Sequence, residues 1–119
     1  MFLSLWQLIG LLSDVKDPYM PFYTGDYLRA TMTLSTTEHG AYFLLLVEYW
    51  EKKKALPDVD KELALVVRQT VTAWKRIRPN IARLFEIRDG KWFNKRMEEE
   101  LVKRESRSKK AFEASQRRW

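Results

Sequence analysis

One stretch near the middle of the chain, Leu34 to Trp50, constrains the fold more than any other. Its sequence is LSTTEHGAYFLLLVEYW, with an unbroken apolar run from Ala41 to Val47. Ser35 followed by Glu38 gives the S-x-x-E pattern of a helix capping box. A surface helix shows an apolar stripe, whereas this one is apolar nearly all round, which predicts a buried central helix ending at about Lys53. It is too short and too closely followed by charged residues to cross a bilayer.

The charges are distributed unevenly along the 119 residues. Residues 1–69 carry 7 Lys and Arg against 9 Asp and Glu, whereas residues 70–119 carry 15 against 7, so the second part has a net charge of +8. This excess predicts an anionic partner, nucleic acid first and a membrane surface second. The chain has no Cys, which excludes disulfides and cysteine-ligated zinc. Its aromatic residues can supply the core of one domain.

The sequence before and at the start of the central helix gives three further predictions. Residues 26–31 are predicted to form a short helix or turn capped by Asp26, with Tyr27 and Leu28 in the core. Gly40 lies inside the central helix, where glycine is costly, so we expect a neighbouring element to pack closely there. His39, the single histidine, is expected to be an ordinary surface or cap residue, because no second ligand type lies nearby.

Two further helices are predicted after the turn at Leu56-Pro57. The first covers residues 61–69, with Asp58 or Asp60 as its cap and an inward face of Leu63, Ala64, Val66 and Val67. The second covers residues 70–84 and is capped by Thr70. Its apolar positions Trp74, Ile77, Ile81 and Leu84 are spaced 3, 4 and 3 residues apart and form one inward face. Pro79 removes a backbone donor and should bend it.

The segment FEIRDGKWFN predicts a β-hairpin. Asp89-Gly90 suits a two-residue type I′ turn, in which both residues need positive φ. In that register Ile87 lies opposite Trp92, and Arg88 lies opposite Lys91. Like charges in opposite positions are mildly unfavourable, which is explained if the hairpin tip contacts phosphate.

The domain organisation follows from these elements. Residues 1–19 are interpreted as an N-terminal extension, with translation starting at Met20 as an alternative. Its apolar part, residues 1–12, is expected to form a short helix packed on the domain, and a membrane-associated role for it stays open. Residues 20–94 are predicted to form the winged-helix-like domain, and residues 95–119 a basic helix or linker, beyond which we expect the natural protein to continue.

The C-terminal helix has a sparse apolar stripe, which consists of Met97, Leu101, Phe112 and Trp119. Its first two turns are expected to pack on the domain.

The order helix, helix, short turn, helix and tight hairpin is that of a winged helix-turn-helix. The predicted fold is therefore mainly α with a small β-hairpin and a long C-terminal helix. The helix over residues 70–84 would enter the major groove with its polar face. Arg and Asn can read guanine and adenine edges in pairs. The predicted groove-facing set is Thr72, Lys75, Arg76, Asn80 and Arg83, and the predicted phosphate ligands are Lys75, Arg88 and Lys91.

An enzyme is not expected, because the sequence has no Gly-rich phosphate loop, no H-E-x-x-H motif and no cysteine nucleophile. Asp58, Asp60 and Glu62 could in principle hold magnesium. Their position at a predicted helix start makes capping the simpler account, so no metal or cofactor is expected. The rival to DNA binding is a protein-interaction adaptor that recruits other proteins without touching DNA.

The chain resembles the YdaU family of phage and prophage proteins over about Met20 to Arg118. The resemblance is carried by MPFYTGDYLRATMTLSTTEHGAYFLLLVEYWEKKKALPD and AWKRIRPNIARLFEIRDGKWFNKRMEEEL, including T-x-E-H-G-A-Y and D-G-K-W. Domains of this family are often N-terminal in putative phage replication-initiation proteins. The resemblance implies origin binding or helicase loading in the cytoplasm of a bacterial host. The implied partners are DNA and a replicative helicase, and no membrane is implied.

Overall fold

The computed structural model describes residues 19–118, which form five helices and three short strands. The predictions for residues 1–18 and for Trp119 lie outside the described residues. No helix within residues 19–118 is both long and apolar enough to cross a membrane. In chain order the elements are α1 (Thr24–Ala30), α2 (Thr36–Lys52), β1 (Leu56–Pro57), α3 (Asp60–Val66), α4 (Val71–Ala82), β2 (Glu86–Arg88), β3 (Lys91–Phe93) and α5 (Lys95–Arg117).

Helix α2 is the centre of the fold, as predicted, and it contacts α3, α4 and α5. The Ser35 hydroxyl accepts from the Glu38 backbone and the Glu38 carboxylate accepts from the Ser35 backbone, so the capping box is confirmed. Leu45 and Tyr49 are completely buried. The expectation of close packing at Gly40 is wrong, because a Cβ there would meet no atom within 4 Å. One side of α2 therefore remains open, although its sequence is apolar.

Helices α3 and α4 follow the predicted order with different bounds. Helix α3 ends at Val66, three residues earlier than predicted, because Arg68 adopts a left-handed conformation with φ 60°. Leu63, Ala64 and Val67 are buried as predicted. Helix α4 begins as predicted, since the Thr70 hydroxyl accepts from the Ala73 backbone at 3.1 Å.

The hairpin has the predicted register, with Ile87 opposite Trp92 and Arg88 opposite Lys91. Asp89 and Gly90 have φ of 52° and 70°, as a type I′ turn requires. The sequence did not predict β1, which pairs antiparallel with β3 and makes β3 the central strand of a three-stranded sheet.

Helix α1 differs most from the prediction. It begins at Thr24 after Tyr23, which makes no side-chain cap bond, so Asp26 is not the cap. The Asp26 carboxylate lies in the first turn and forms salt bridges with Arg29 and Arg96. Leu28 is 64% exposed and is not a core residue.

Asn94 joins the hairpin to α5. Its side-chain oxygen accepts from the Met97 backbone at 3.0 Å, and its amide donates to the Leu84 carbonyl at 3.2 Å. Met97 is buried and Leu101 packs against the core, which confirms that the first turns of α5 lie on the domain. Phe112, further along α5, is 62% exposed.

Candidate functional site

Helix α4 is oriented as its apolar spacing predicts. Trp74 and Ile81 are completely buried, and Ile77 and Leu84 pack against the core. The polar residues predicted to contact DNA therefore lie on the outer face. All five of them are exposed: Thr72, Lys75, Arg76, Asn80 and Arg83.

The first two turns of α4 present unpaired polar groups. Within residues 19–118, the side chains of Thr72, Lys75 and Arg76 form no hydrogen bond or salt bridge. Lys75 has only a through-space effect, which contributes to lowering the pKa of the Asp60 carboxyl. We call these three residues the open face of α4. Because their donors are unoccupied, they can bind a ligand without breaking an internal contact.

The other two predicted residues of α4 are already engaged. The Asn80 amide donates to Glu38 at 2.5 Å, and the Arg83 guanidinium donates to the Thr33 hydroxyl at 3.3 Å. The Ser35 backbone N–H and then Asn80 lower the pKa of the buried Glu38 carboxyl, and this lowering outweighs the effect of burial. Asn80 and Arg83 therefore attach α4 to the start of α2.

Arg78 lies between two aspartates and forms the centre of a polar cluster. Its Nη1 is 2.8 Å from an Asp58 oxygen and 2.6 Å from an Asp60 oxygen. The Trp92 indole donates to Asp58 at 2.8 Å, and the Trp74 indole donates to Asp60 at 2.9 Å. Each carboxylate is thus shared between a guanidinium and a buried tryptophan, which satisfies both indole N–H groups.

This cluster corrects the prediction that Asp58 or Asp60 caps α3. The residue before α3 is Val59, and α3 has no side-chain cap bond. Hydrogen bonding from Arg78 lowers the pKa of Asp58, whereas Trp74 and then Arg78 lower the pKa of Asp60. The same hydrogen bonds raise the pKa of Arg78, Asp58 contributing most. All three groups are held in their charged forms.

The cluster also attaches the hairpin to α4. The Asp58 backbone N–H donates to the Gly90 carbonyl in the hairpin turn at 2.8 Å. The Arg78 guanidinium carbon lies 5.0 Å from the centre of the Trp92 ring, which belongs to β3. The open face of α4 and the hairpin tip are therefore fixed relative to each other through Asp58.

The two predicted phosphate ligands of the hairpin differ in their surroundings. Arg88 lies 3.4 Å from Glu86, and its guanidinium carbon is 3.8 Å from the centre of the Phe93 ring. Lys91 is exposed and forms no salt bridge within residues 19–118. Lys91 is consequently the more accessible cation at the hairpin tip.

Residues 19–118 contain no group of three or more His, Cys, Asp or Glu side chains arranged to hold a metal ion. A groove of about 250 Å³ is lined mostly by aromatic and apolar side chains of the segment before α1, of α1 and α2, and of the start of α5, with Asp26, Lys95 and Arg96 as its charged members. None of the predicted DNA-contacting residues lines it.

Fold and site together define a small, mainly helical domain in which a three-stranded antiparallel sheet is fixed to a helix with an exposed cationic face. Its sequence matches, over residues 18–102, the family described as "Protein of unknown function (DUF1376)". It is 40% identical over 95 residues to the uncharacterized protein YdaU of Escherichia coli (strain K12). The chain therefore belongs to the DUF1376, or YdaU-like, family, and the predicted resemblance is confirmed.

The match covers 79% of this chain and 33% of YdaU, so the chain spans about a third of the length of this relative. No solved structure matches the chain.

Proposed function

We propose that this chain is a winged-helix DNA-binding domain of a phage or prophage protein that acts in the initiation of DNA replication. The observation that carries the proposal is the open face of α4: Thr72, Lys75 and Arg76 are exposed and unpaired on a helix whose opposite face is buried. In winged-helix proteins the corresponding helix lies in the major groove with its N-terminal residues at the base edges. These three residues lie in that part of α4.

The chemistry of the open face fits both kinds of DNA contact. Arg76 has the forked donors that bind O6 and N7 of guanine, and the Thr72 hydroxyl can bind a base edge or a phosphate. Lys75 is a point charge suited to phosphate. Asn80 donates to Glu38, so reading of adenine by Asn80 would require exchange of that bond. Base recognition is therefore assigned first to Arg76.

The hairpin serves as the wing in this proposal. Lys91 and Arg88 at its tip would bind the phosphate backbone, which fixes position and register and carries no sequence information. The Asp58 link between the Gly90 carbonyl and Arg78 supports the assignment. It holds two groups of cations in a constant relation, as simultaneous contact with one duplex requires.

The test is the salt dependence of duplex binding by the full chain, measured by fluorescence anisotropy. Each phosphate contact contributes about −0.9 to the slope of log K against log salt. We expect a steep slope for the wild type, and a slope smaller by roughly 0.9 for Lys91→Ala. We expect Arg76→Ala and Arg83→Ala to bind the duplex more weakly than the wild type. Lys54→Ala, which removes an exposed charge outside α4 and the hairpin, should bind like the wild type. A flat slope, or unchanged binding in the α4 and hairpin variants, would refute the proposal.

A different observation favours an adaptor as the second candidate. Phe22 and Phe43 are 43% and 41% exposed, and their ring centres lie 5.8 Å apart, while Leu28 and Met32 are 64% and 81% exposed. Adjacent exposed apolar side chains such as Phe22 and Phe43 are typical of protein-interaction surfaces. An adaptor would bind a replicative helicase or another replication protein without binding DNA. Loss of helicase binding in Leu28→Ser, with a flat salt slope in the wild type, would select this function.

A further inference from the structure

The distal part of α5 extends away from the folded domain. The last buried residue of α5 is Glu100, which accepts hydrogen bonds from Tyr23 at 2.7 Å and from Lys103 at 3.3 Å. Burial alone would raise the pKa of Glu100, but these two bonds, together with the charges of Lys103 and Arg96, bring the pKa below its ordinary value. Between Val102 and Arg118, only Arg104 and Ser108 are half-buried, and residues 109–118 are all exposed. Residues 109–118 therefore add little to the packing of the domain.

The charges on this exposed part are separated by face. Lys103, Arg107 and Lys110 are spaced four and three residues apart, so they lie along one side of the helix. Glu105, Lys109 and Glu113 are spaced by four residues on another side, where opposite charges alternate. We call Lys103, Arg107 and Lys110 the cationic stripe of α5.

The stripe has an energetic cost in the free protein. Like charges three or four residues apart, such as Arg107 and Lys110, destabilise a helix. A helical segment of this length without tertiary packing is marginal in water. A bound polyanion would remove the repulsion and stabilise the helix, so binding and helix stability are coupled.

We propose that the cationic stripe of α5 binds the phosphates of duplex nucleic acid as a second contact, independent of base sequence. The inference rests on the proposed function and adds a site to it. The stripe runs from Lys103 to Lys110, a length of about 10 Å at 1.5 Å per residue. Each strand of B-DNA carries one phosphate per 3.4 Å of helix axis. The stripe is therefore long enough to face about three phosphates.

The apolar residues of this segment do not favour a protein groove or a membrane surface. Val102 and Phe112 are 66% and 62% exposed but ten residues apart. A helix bound in a groove needs apolar anchors at spacings of three, four and seven residues. An interfacial helix needs a continuous apolar face opposite its cations. Phosphate contact requires neither, and it matches the charge of the stripe.

The experiment uses the full chain and duplexes of about 30 base pairs with unrelated sequences, roughly 100 Å long at 3.4 Å per pair. The test variant is Arg107→Gln with Lys110→Gln, and the matched control is Lys54→Gln with Lys109→Gln, which removes the same charge elsewhere. We expect the test variant to lower the salt slope by about 1.8 on every duplex, which corresponds to two phosphate contacts. The control should keep the wild-type slope.

Amide hydrogen exchange gives a second readout. In the wild type, adding duplex should slow exchange in residues 103–117, because neutralising the stripe stabilises this part of α5. The test variant should show no such slowing. Equal exchange with and without bound duplex in the wild type would overturn the inference.

The outcomes separate this inference from the proposed function. If Arg76→Ala weakens binding but the test variant equals its control, the stripe is not a DNA contact and the α4 proposal stands. If the test variant loses binding and Arg76→Ala does not, the stripe is supported and the α4 proposal fails. If the chain binds polyglutamate through the stripe but binds no duplex, both fail and an acidic protein partner is indicated.

Discussion

Replacing Arg78 by methionine removes the cation that holds Asp58 and Asp60. Two charge-assisted hydrogen bonds of 2.8 and 2.6 Å are lost. Such bonds are worth about 1.5–3 kcal/mol each. The side chains of Arg78, Asp58 and Asp60 keep 26%, 24% and 32% of their surface exposed, so solvent screening reduces this value. We expect the free energy of unfolding to fall by about 2–4 kcal/mol, since two carboxylates remain without a counter-ion.

Urea unfolding followed by tryptophan fluorescence measures this change. Arg76→Met is the matched control, because Arg76 lies on the same helix but is exposed and without a salt bridge among residues 19–118. The control should stay within about 0.5 kcal/mol of the wild type. A loss in Arg78→Met that is no larger than in the control would refute the account of the cluster.

The same variant predicts a pH dependence. The pKa values of Asp58 and Asp60 lie below their ordinary value of 3.8 in the folded chain. A lowered folded pKa gives stabilisation that is fully present above the unfolded pKa and is lost as the pH falls through the folded pKa. The difference between wild type and Arg78→Met should therefore be largest above about pH 4 and shrink as the pH falls through the lowered pKa values of the two carboxyls. A difference that stays constant across this range would show that the carboxylates are not its source.

Two glycine substitutions should change stability in opposite directions. Gly40→Ala should raise the free energy of unfolding by about 0.5–1 kcal/mol, because a Cβ there meets no atom within 4 Å and alanine is the better helix former; a loss of stability would mean that the open side of α2 is covered. Gly90→Ala should lower it by about 1–2 kcal/mol, because Gly90 has φ of 70°; an unchanged urea midpoint would contradict the type I′ assignment.

The parts of the fold that were predicted correctly depend on neighbouring residues. The Ser35 and Glu38 capping box, the Thr70 cap and the Asp89-Gly90 turn each arise within four residues of sequence. The turn also sets the strand register, because a two-residue loop places Arg88 opposite Lys91 and therefore Ile87 opposite Trp92. Local chemistry was sufficient for these elements.

The parts that were missed depend on distant residues. Asp58 bonds to Trp92, 34 residues away, and Asp60 bonds to Arg78, 18 residues away. An aspartate before a helix has the composition of a cap, and only the tertiary structure shows that these two act elsewhere. Strand β1 has two residues, too few for a periodic pattern. The exposure of the open face of α4 could be predicted, because its residues lie on the side of the helix opposite the regularly spaced apolar residues.

Strand β1 has a consequence for the behaviour of the protein at high concentration. It is an outer strand of the sheet, only two residues long, and one of them is Pro57. Proline has no N–H to donate, so this border offers little for the backbone of another molecule to join. Addition of a strand from another copy is thereby disfavoured on that side of the sheet.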